Sequence, residues 1–312
     1  MSLLALITAL LLEQFHPLSA RKHLNSWLFS YVNFFKCHFD AGEYKHGKIS
    51  WFLAILPLLI GVTLLSFLLH KIHPIFSFLF NVFALYLTFG FHQFSSYFTD
   101  IQIALRADKL DEARKLLTLW RDTPMYSLNA GKVAQIAIEE ALLTSHRKVF
   151  GIVVWFAFFS AIGLCGAAGA LLYRLGQLLH EHWTIQDVNE PTKFGRFAQQ
   201  AYALLEWLPA RTTALTFTIV GNFEDTLYCW RTQVADWPNK IDGIVLASGA
   251  GSLGVRLGMP IQQGELILER AELGLGDDAD VDYMKSTIGL LWRSLIFMLI
   301  MILLFELVFI NE

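Results

Sequence analysis

Phe52–Leu69 reads FLAILPLLIGVTLLSFLL, and after the link His70–His73 the stretch Pro74–Phe91 reads PIFSFLFNVFALYLTFGF. Neither run contains Asp, Glu, Lys or Arg. A helix that crosses a bilayer needs about 20 predominantly apolar residues, range about 17–25. Each run meets that length, and the short link between them predicts a helical hairpin in lipid. Two more runs extend the pattern. Val149–Leu175 carries small residues at Gly163, Gly166, Ala167 and Gly169, which let helices approach closely. Ile288–Ile310 closes the apolar part of the chain, with Arg293 and Glu306 near its ends. The expected fold is all-α, a polytopic membrane protein with one membrane-embedded domain over residues 1–312. Its expected spans are 52–69, 74–91, 149–175 and 288–310. Residues 1–12 read as a retained helix too short to cross alone, without the basic start of a cleaved signal peptide. Residues 211–221 read as a short buried or re-entrant helix.

Composition supports lipid as the solvent. Of 312 residues, 55% are hydrophobic and 16% charged, against about 25% charged in soluble domains. Mean hydropathy is +0.47. The net charge of -3 excludes a nucleic-acid binder. Cys37, Cys165 and Cys229 are widely spaced and odd in number, so they read as small apolar fillers rather than a disulfide framework. Residues 21–50 hold five Lys/Arg and residues 93–148 hold eight. Both loops fall on one side of the 52–91 hairpin, which the positive-inside rule assigns to the cytoplasm. The loop 93–148 reads as helical. Leu110, Ala113, Leu117 and Trp120 form one apolar stripe, and Asp111 with Lys115 forms an i, i+4 pair. A second amphipathic run covers Lys132–Leu143. Residues 262–285 read as an acidic, solvated loop.

Four short patterns resemble functional motifs and fail on detail. Gly42–Ile49 (GEYKHGKI) lacks the Ser or Thr that follows the lysine of a phosphate-binding loop. Gly249–Gly254 (GAGSLG) matches a dinucleotide fingerprint without the strand–helix alternation or ribose-binding acid, and reads as a packed glycine-rich helix or turn. His180 and His182 lie two apart, so on a helix they point to different faces. Asp278, Asp280 and Asp282 lack the glycine and glutamate of a calcium loop.

Several patches together resemble the CobD/CbiB family of adenosylcobinamide-phosphate synthases and its AmpE relatives. They are Leu105–Thr123 with the turn Arg121-Asp122-Thr123, Ile138–Trp155, Phe194–Gly195 through Leu208-Pro209-Ala210-Arg211, and Ala250–Gly258 (AGSLGVRLG). The resemblance runs from about residue 95 to 260. It implies a bacterial inner-membrane protein of late cobalamin assembly. The implied reaction condenses adenosylcobyric acid with an aminopropanol compound, using ATP and magnesium. The chain departs from the synthases at their acids. Glu139 remains, but the following E-N-x-x-D reads Leu143, Thr144 and Arg147. The N-T-L-D motif reads Gln177, Leu178, Leu179 and His180. An Asp-Asp pair reads Tyr202 and Ala203, an Asn reads Glu206, and a Glu before the glycine patch reads Leu246. The AmpE relatives lack this acidic set too. They carry a G-x-x-E turn like Gly221-Asn222-Phe223-Glu224, and are associated with cell-wall signalling.

The resulting expectation is a multi-pass inner-membrane protein with a binding, sensory or regulatory role. Its pocket would be formed by Arg121, Asp122, Glu139, Arg211 and Arg256, and no metal site is expected. Its partners would be the bilayer and a corrinoid or cell-wall-related small molecule. The alternative is an active amide-forming synthase using magnesium and ATP. Its metal site would be rebuilt from Asp122, Glu139, Glu206, Glu224 and Asp242.

Overall fold

The computed structural model describes residues 2–15, 21–124, 128–184, 193–263 and 266–310. In chain order these form α1 (Ser2–Phe15), α2 (Arg21–Phe39), α3 (Tyr44–Ile72), α4 (Pro74–Thr88), α5 (Phe91–Arg106), α6 (Leu110–Arg121) and α7 (Ala130–Ser145). A π-helical turn (His146–Phe150) leads into α8 (Gly151–Ala161), followed by α9 (Gly166–Thr184), α10 (Gly195–Val220), α11 (Phe223–Thr232) and α12 (Lys240–Leu253). Short strands follow: β1 (Val255–Gly258), β2 (Ile261–Gln263), β3 (Leu266–Leu268), β4 (Glu272–Leu273) and β5 (Asp277–Asp278). The last element is α13 (Val281–Ile310). This is an all-α membrane protein with little sheet.

Among the described residues three helices are long and apolar enough to cross a membrane: Tyr44–Ile72, Ala130–Ala161 and Val281–Val308. Only 17% of the apolar window of Tyr44–Ile72 is buried within the protein. The rest is an apolar surface too large to leave in water. α1 and α4 are apolar but shorter. Three expectations are corrected here. The run 149–175 is not one helix. It breaks after Ala161, turns through Gly163 at φ +76°, and restarts at Gly166. The span that includes its first half begins much earlier, because α7, the π-turn and α8 run on without a break from Ala130. Likewise 211–221 is not a short helix but the second half of the 26-residue α10. The stretch 262–285 carries β2–β5 and the start of α13 rather than a plain loop.

The described residues fall into two compact units, 1–89 with 151–209, and 90–150 with 210–312. In the first, α8 packs on α9, α1 on α4, and α3 on both α4 and α9. Polar backbone atoms freed in this apolar packing are claimed individually. Pro209 has no N–H for the Leu205 carbonyl one turn earlier. The Trp155 indole donates to that carbonyl at 2.9 Å. The N-terminus of α9 is capped from α4, where Asn81 Oδ1 accepts from the Ala167 N–H at 3.1 Å. Gly169 permits the α8–α9 approach: a Cβ there would lie 2.3 Å from the Trp155 carbonyl oxygen.

In the second unit α7 is the central element, packed by α5, α6, α12 and α13. The α6 stripe behaves as its sequence spacing predicts, with Ala113 and Leu117 fully buried. Asp111, however, pairs with Arg114 at 2.8 Å, one residue short of the expected Lys115. Asparagines start three helices: Asn129, Asn222 and Asn239 each accept a backbone N–H of α7, α11 and α12. β1 runs antiparallel to β4 and parallel to β5. β2 and β3 form a separate hairpin.

Gly169→Ala forces the α8 and α9 backbones apart and is expected to cost about 1–3 kcal/mol, read as earlier thermal unfolding in detergent. The buried Cys229 thiol is pushed up to about 11, chiefly by burial and further by Asp225. Because the thiolate is the reacting form, maleimide at neutral pH is expected to modify the exposed Cys37 and to spare Cys229 until the pH approaches that value. Equal labelling of both at pH 7 contradicts this burial.

Candidate functional site

The polar centre of the second unit is built on one face of α7. Residues three and four apart on a helix are neighbours, so Lys132, Gln135 and Glu139 stack in a row. Glu139 is 4% exposed. A carboxylate that deeply withdrawn from water requires donors, and three residues supply four donor atoms, among them Arg270 Nη2, which donates to Oε1 at 3.4 Å. Arg270 Nη1 donates to Oε2 at 2.6 Å, Gln135 Nε2 to Oε1 at 3.1 Å, and the Gly258 N–H to Oε1 at 2.8 Å. The Arg270 guanidinium lies 5.3 Å from the Trp237 ring centroid and also donates to the Gly258 and Met259 carbonyls, each at 3.3 Å. Gln135 donates to the Gly258 carbonyl as well.

This network explains the last glycine of the AGSLGVRLG patch. Gly258 has φ +80°, and a Cβ there would lie 2.1 Å from the Ala271 carbonyl oxygen. Both polar backbone atoms of Gly258 are committed to side chains, so only a residue without a side chain fits. Met259 follows at φ +65°, a conformation that non-glycine residues adopt only when their surroundings impose it. Here Arg270 and Lys132 hold it, the latter with Nζ at 3.6 Å from Met259 Sδ.

A second row on α7 carries Glu140, Thr144 and Arg147. Thr144 donates to Glu140 at 3.1 Å, and Arg121 pairs with Glu140 at 3.5 Å. Arg147, in the π-turn, pairs with Asp242 in the first turn of α12. Asn239 donates to the other Asp242 oxygen at 3.0 Å. The preceding residue, His146, contacts Thr213 Oγ1 through Nδ1 at 3.0 Å. Single π-turns inside α-helices occur often at functional sites.

The five expected residues do not gather round one pocket. Glu139 forms the buried centre. Arg256 lies on β1 two residues before Gly258 and pairs with Asp278 at 2.9 Å and Glu272 at 3.7 Å. Arg121 turns to Glu140. Asp122 is the left-handed cap of α6 at φ +53°. Arg211 is half-buried on α10, two residues after Pro209. Sequence reasoning missed Arg270 and Trp237. Neither has a spacing signal, because each reaches Glu139 or its partner from over a hundred or about thirty residues away through loops.

The first unit brings together positions where the resemblance marks replaced acids. Tyr202 donates to the buried Glu206 at 2.6 Å, and the His180 ring stacks on Tyr202 with centroids 5.1 Å apart. Gln177 donates to Glu181 and accepts from Arg174, each at 2.8 Å. His182 instead meets Phe29 edge-on, so the two histidines diverge as their spacing requires. The glycine-rich GAGSLG run ends α12, where Gly254 is the left-handed cap. No strand precedes it, which removes the dinucleotide reading. Asp280 caps α13, accepting from the Asp282 and Tyr283 N–H groups. Among the described residues no three His, Cys, Asp or Glu side chains are arranged to hold a metal ion.

Against known families, a sequence model described as CobD/Cbib protein matches residues 3–291. The chain is 33% identical over 303 residues to the cobalamin biosynthesis protein CobD of Stutzerimonas stutzeri, covering 93% of each chain. It is 34% identical over 225 residues to the protein of that name from Chromobacterium violaceum, covering 72% of this chain and 69% of the relative. It is 26% identical over 196 residues to that of Leptospira interrogans, covering 61% and 59%. No solved structure matches.

Removing one partner of a buried ion pair leaves the other uncompensated, at about 3–5 kcal/mol. Glu139→Gln is therefore expected to lower the thermal stability of the purified protein by that order, and Glu139→Gln with Arg270→Met to recover most of it. Equal losses in the single and double variants contradict the pairing.

Proposed function

The chain belongs to the CobD/CbiB family, and from that membership we propose that it is an enzyme of cobalamin assembly, joining an amino-alcohol to a corrinoid carboxyl group as an amide. The observation that carries this reading is the relationship to a protein of cobalamin biosynthesis across 93% of both chains. In this reading the protein crosses the bacterial inner membrane several times. The reaction forms a C–N bond and breaks a carboxyl C–O bond; the amine gives up a proton, and the carboxyl oxygen leaves on the phosphate of ATP, the co-substrate the resemblance implies. It therefore needs cations for anionic carboxyl or phosphate groups and a carboxylate for the ammonium. The α7 face offers both. Arg121 and Glu140 stand 3.5 Å apart with about a quarter of each side chain exposed, so this loose pair is open to exchange with a substrate anion and amine. Arg147 with Asp242 extends the same row.

The donor set does not fit a protein-built magnesium cage. Glu139, Glu140, Asp242, Glu272 and Asp278 each contact an arginine, and magnesium requires near-octahedral oxygen ligands. The α7 side chains are accordingly assigned to substrate binding, with no step routed through a metal. This same pairing of the acids is what favours the rival reading, a binding or regulatory protein without turnover.

Complementation separates the two. A strain lacking its own amide-forming enzyme and fed the corrinoid acid is expected to regain cobalamin-dependent growth when it expresses this chain. Arg121→Ala is expected to lower kcat/KM by roughly 10–100-fold, the loss of one charge-assisted hydrogen bond. A chain that inserts in the membrane yet restores neither growth nor turnover overturns the enzymatic reading.

A further inference from the structure

A cavity of about 950 Å³ lies within the first unit, walled by α1, α3, α4 and α8 and by the turn into α9. Its size is at the upper end of the roughly 300–1,000 Å³ of small-molecule pockets. Its chemistry differs from the α7 face in one decisive respect: among the described residues no Asp, Glu, Lys or Arg lines it. A phosphate, a carboxylate or an ammonium would enter without a counter-charge, at a large desolvation cost.

The walls are of two kinds. One is apolar, with Leu64, Phe67, Phe78 and Phe156. The other is a seam of small polar groups that already satisfy one another. Ser66 and Ser77 bond across α3 and α4 at 3.3 Å, and Asn81 Nδ2 donates to the Ser77 carbonyl at 2.8 Å. The cavity exists because these positions are small. Its rim is continuous with the bilayer-facing surface of α3: Leu64 and Phe67 are each 56% exposed and lie on the helix whose apolar window is only 17% buried. A ligand therefore enters sideways from lipid, as an extended apolar chain.

We propose that this cavity is a binding site for an acyl chain of a membrane phospholipid, held between α3, α4 and α8 apart from the surrounding bilayer. The site stands independently of the amide-forming reading, since no charged group of that chemistry reaches it.

The test uses the full chain reconstituted in vesicles of phosphatidylcholine carrying a diazirine near the end of one acyl chain. After irradiation, adducts are mapped by peptide mass spectrometry. The outward face of α13, with Leu304 and Val308 exposed to lipid, serves as the internal reference. Adducts are expected on Phe156 and Phe78 as well as on that reference. Ser77→Phe fills the cavity and is expected to cut the cavity adducts about tenfold while α13 labels as before, a change of the size that one filled subsite produces. Ser160→Phe closes the same space from α8 and is expected to act alike. Retained labelling of α13 and of Leu53 and Leu56, exposed on α3, reports that each variant is folded in the bilayer. Cavity adducts that are absent while α13 is labelled, or that survive both substitutions, overturn the proposal.

Discussion

A polar group withdrawn from water is costly unless another polar group meets it, and much of this architecture follows from that constraint. An unpaired amide or carbonyl in an apolar surrounding costs several kcal/mol. Helices satisfy their own backbones except at ends and at prolines, and several of these exceptions here are met by named groups. The Leu205 carbonyl that Pro209 leaves open is taken by Trp155. The start of α9 is capped by Asn81 from a neighbouring helix. Three asparagines begin α7, α11 and α12. The same rule governs the side chains: Glu139, with four donor atoms around it, anchors the turn at Gly258 and Met259, and through it the small strands that follow.

That rule also shapes the chemistry. The carboxylates of the α7 face and β1 neighbourhood are paired with arginines, two of them, Arg270 and Arg147, from distant parts of the sequence. A guanidinium satisfies a carboxylate through two oxygens in one plane, so it competes directly with a divalent cation for the same lone pairs. Ion pairs of this kind are strongest where both partners are buried, as with Glu139 and Arg270, and weakest where water reaches them, as with Arg121 and Glu140. The buried pair holds the fold, while the partly exposed one is the more easily broken.

The apolar runs at 52–69 and 288–310 were legible because length and hydropathy suffice to mark a helix for lipid. The break at Gly163 was not, since the run stays apolar on both sides and periodicity cannot register a turn between two apolar helices. The long helix from Ala130 was hidden by the charges of its first half, which read as an amphipathic helix in a loop separate from the span. Those charges are tolerated because Glu139 pairs with Arg270, Glu140 with Arg121 and Lys132 with Gln135. The site was legible in part. Glu139 and the glycine patch emerged from resemblance, and Gln135 stands one turn before Glu139. Arg270 and Trp237 were invisible, because tertiary pairing across long loops leaves no spacing in the sequence.

The charge reversal at Arg147 illustrates how an acidic site changes without loss of the fold. Where the synthases it resembles carry an acid, this chain places a cation in the middle of a largely buried helix, and a lone cation there would be costly to bury. Asp242 cancels it from the first turn of α12, a position where a helix N-terminus already favours negative charge. Asn239 then occupies the second Asp242 oxygen. The compensation leaves the net charge of the pair near zero and both partners satisfied, so the packing of α7 against α12 survives the exchange. What changes is the chemistry of the row: a guanidinium attracts anionic oxygen directly, where a carboxylate attracts it only through a cation.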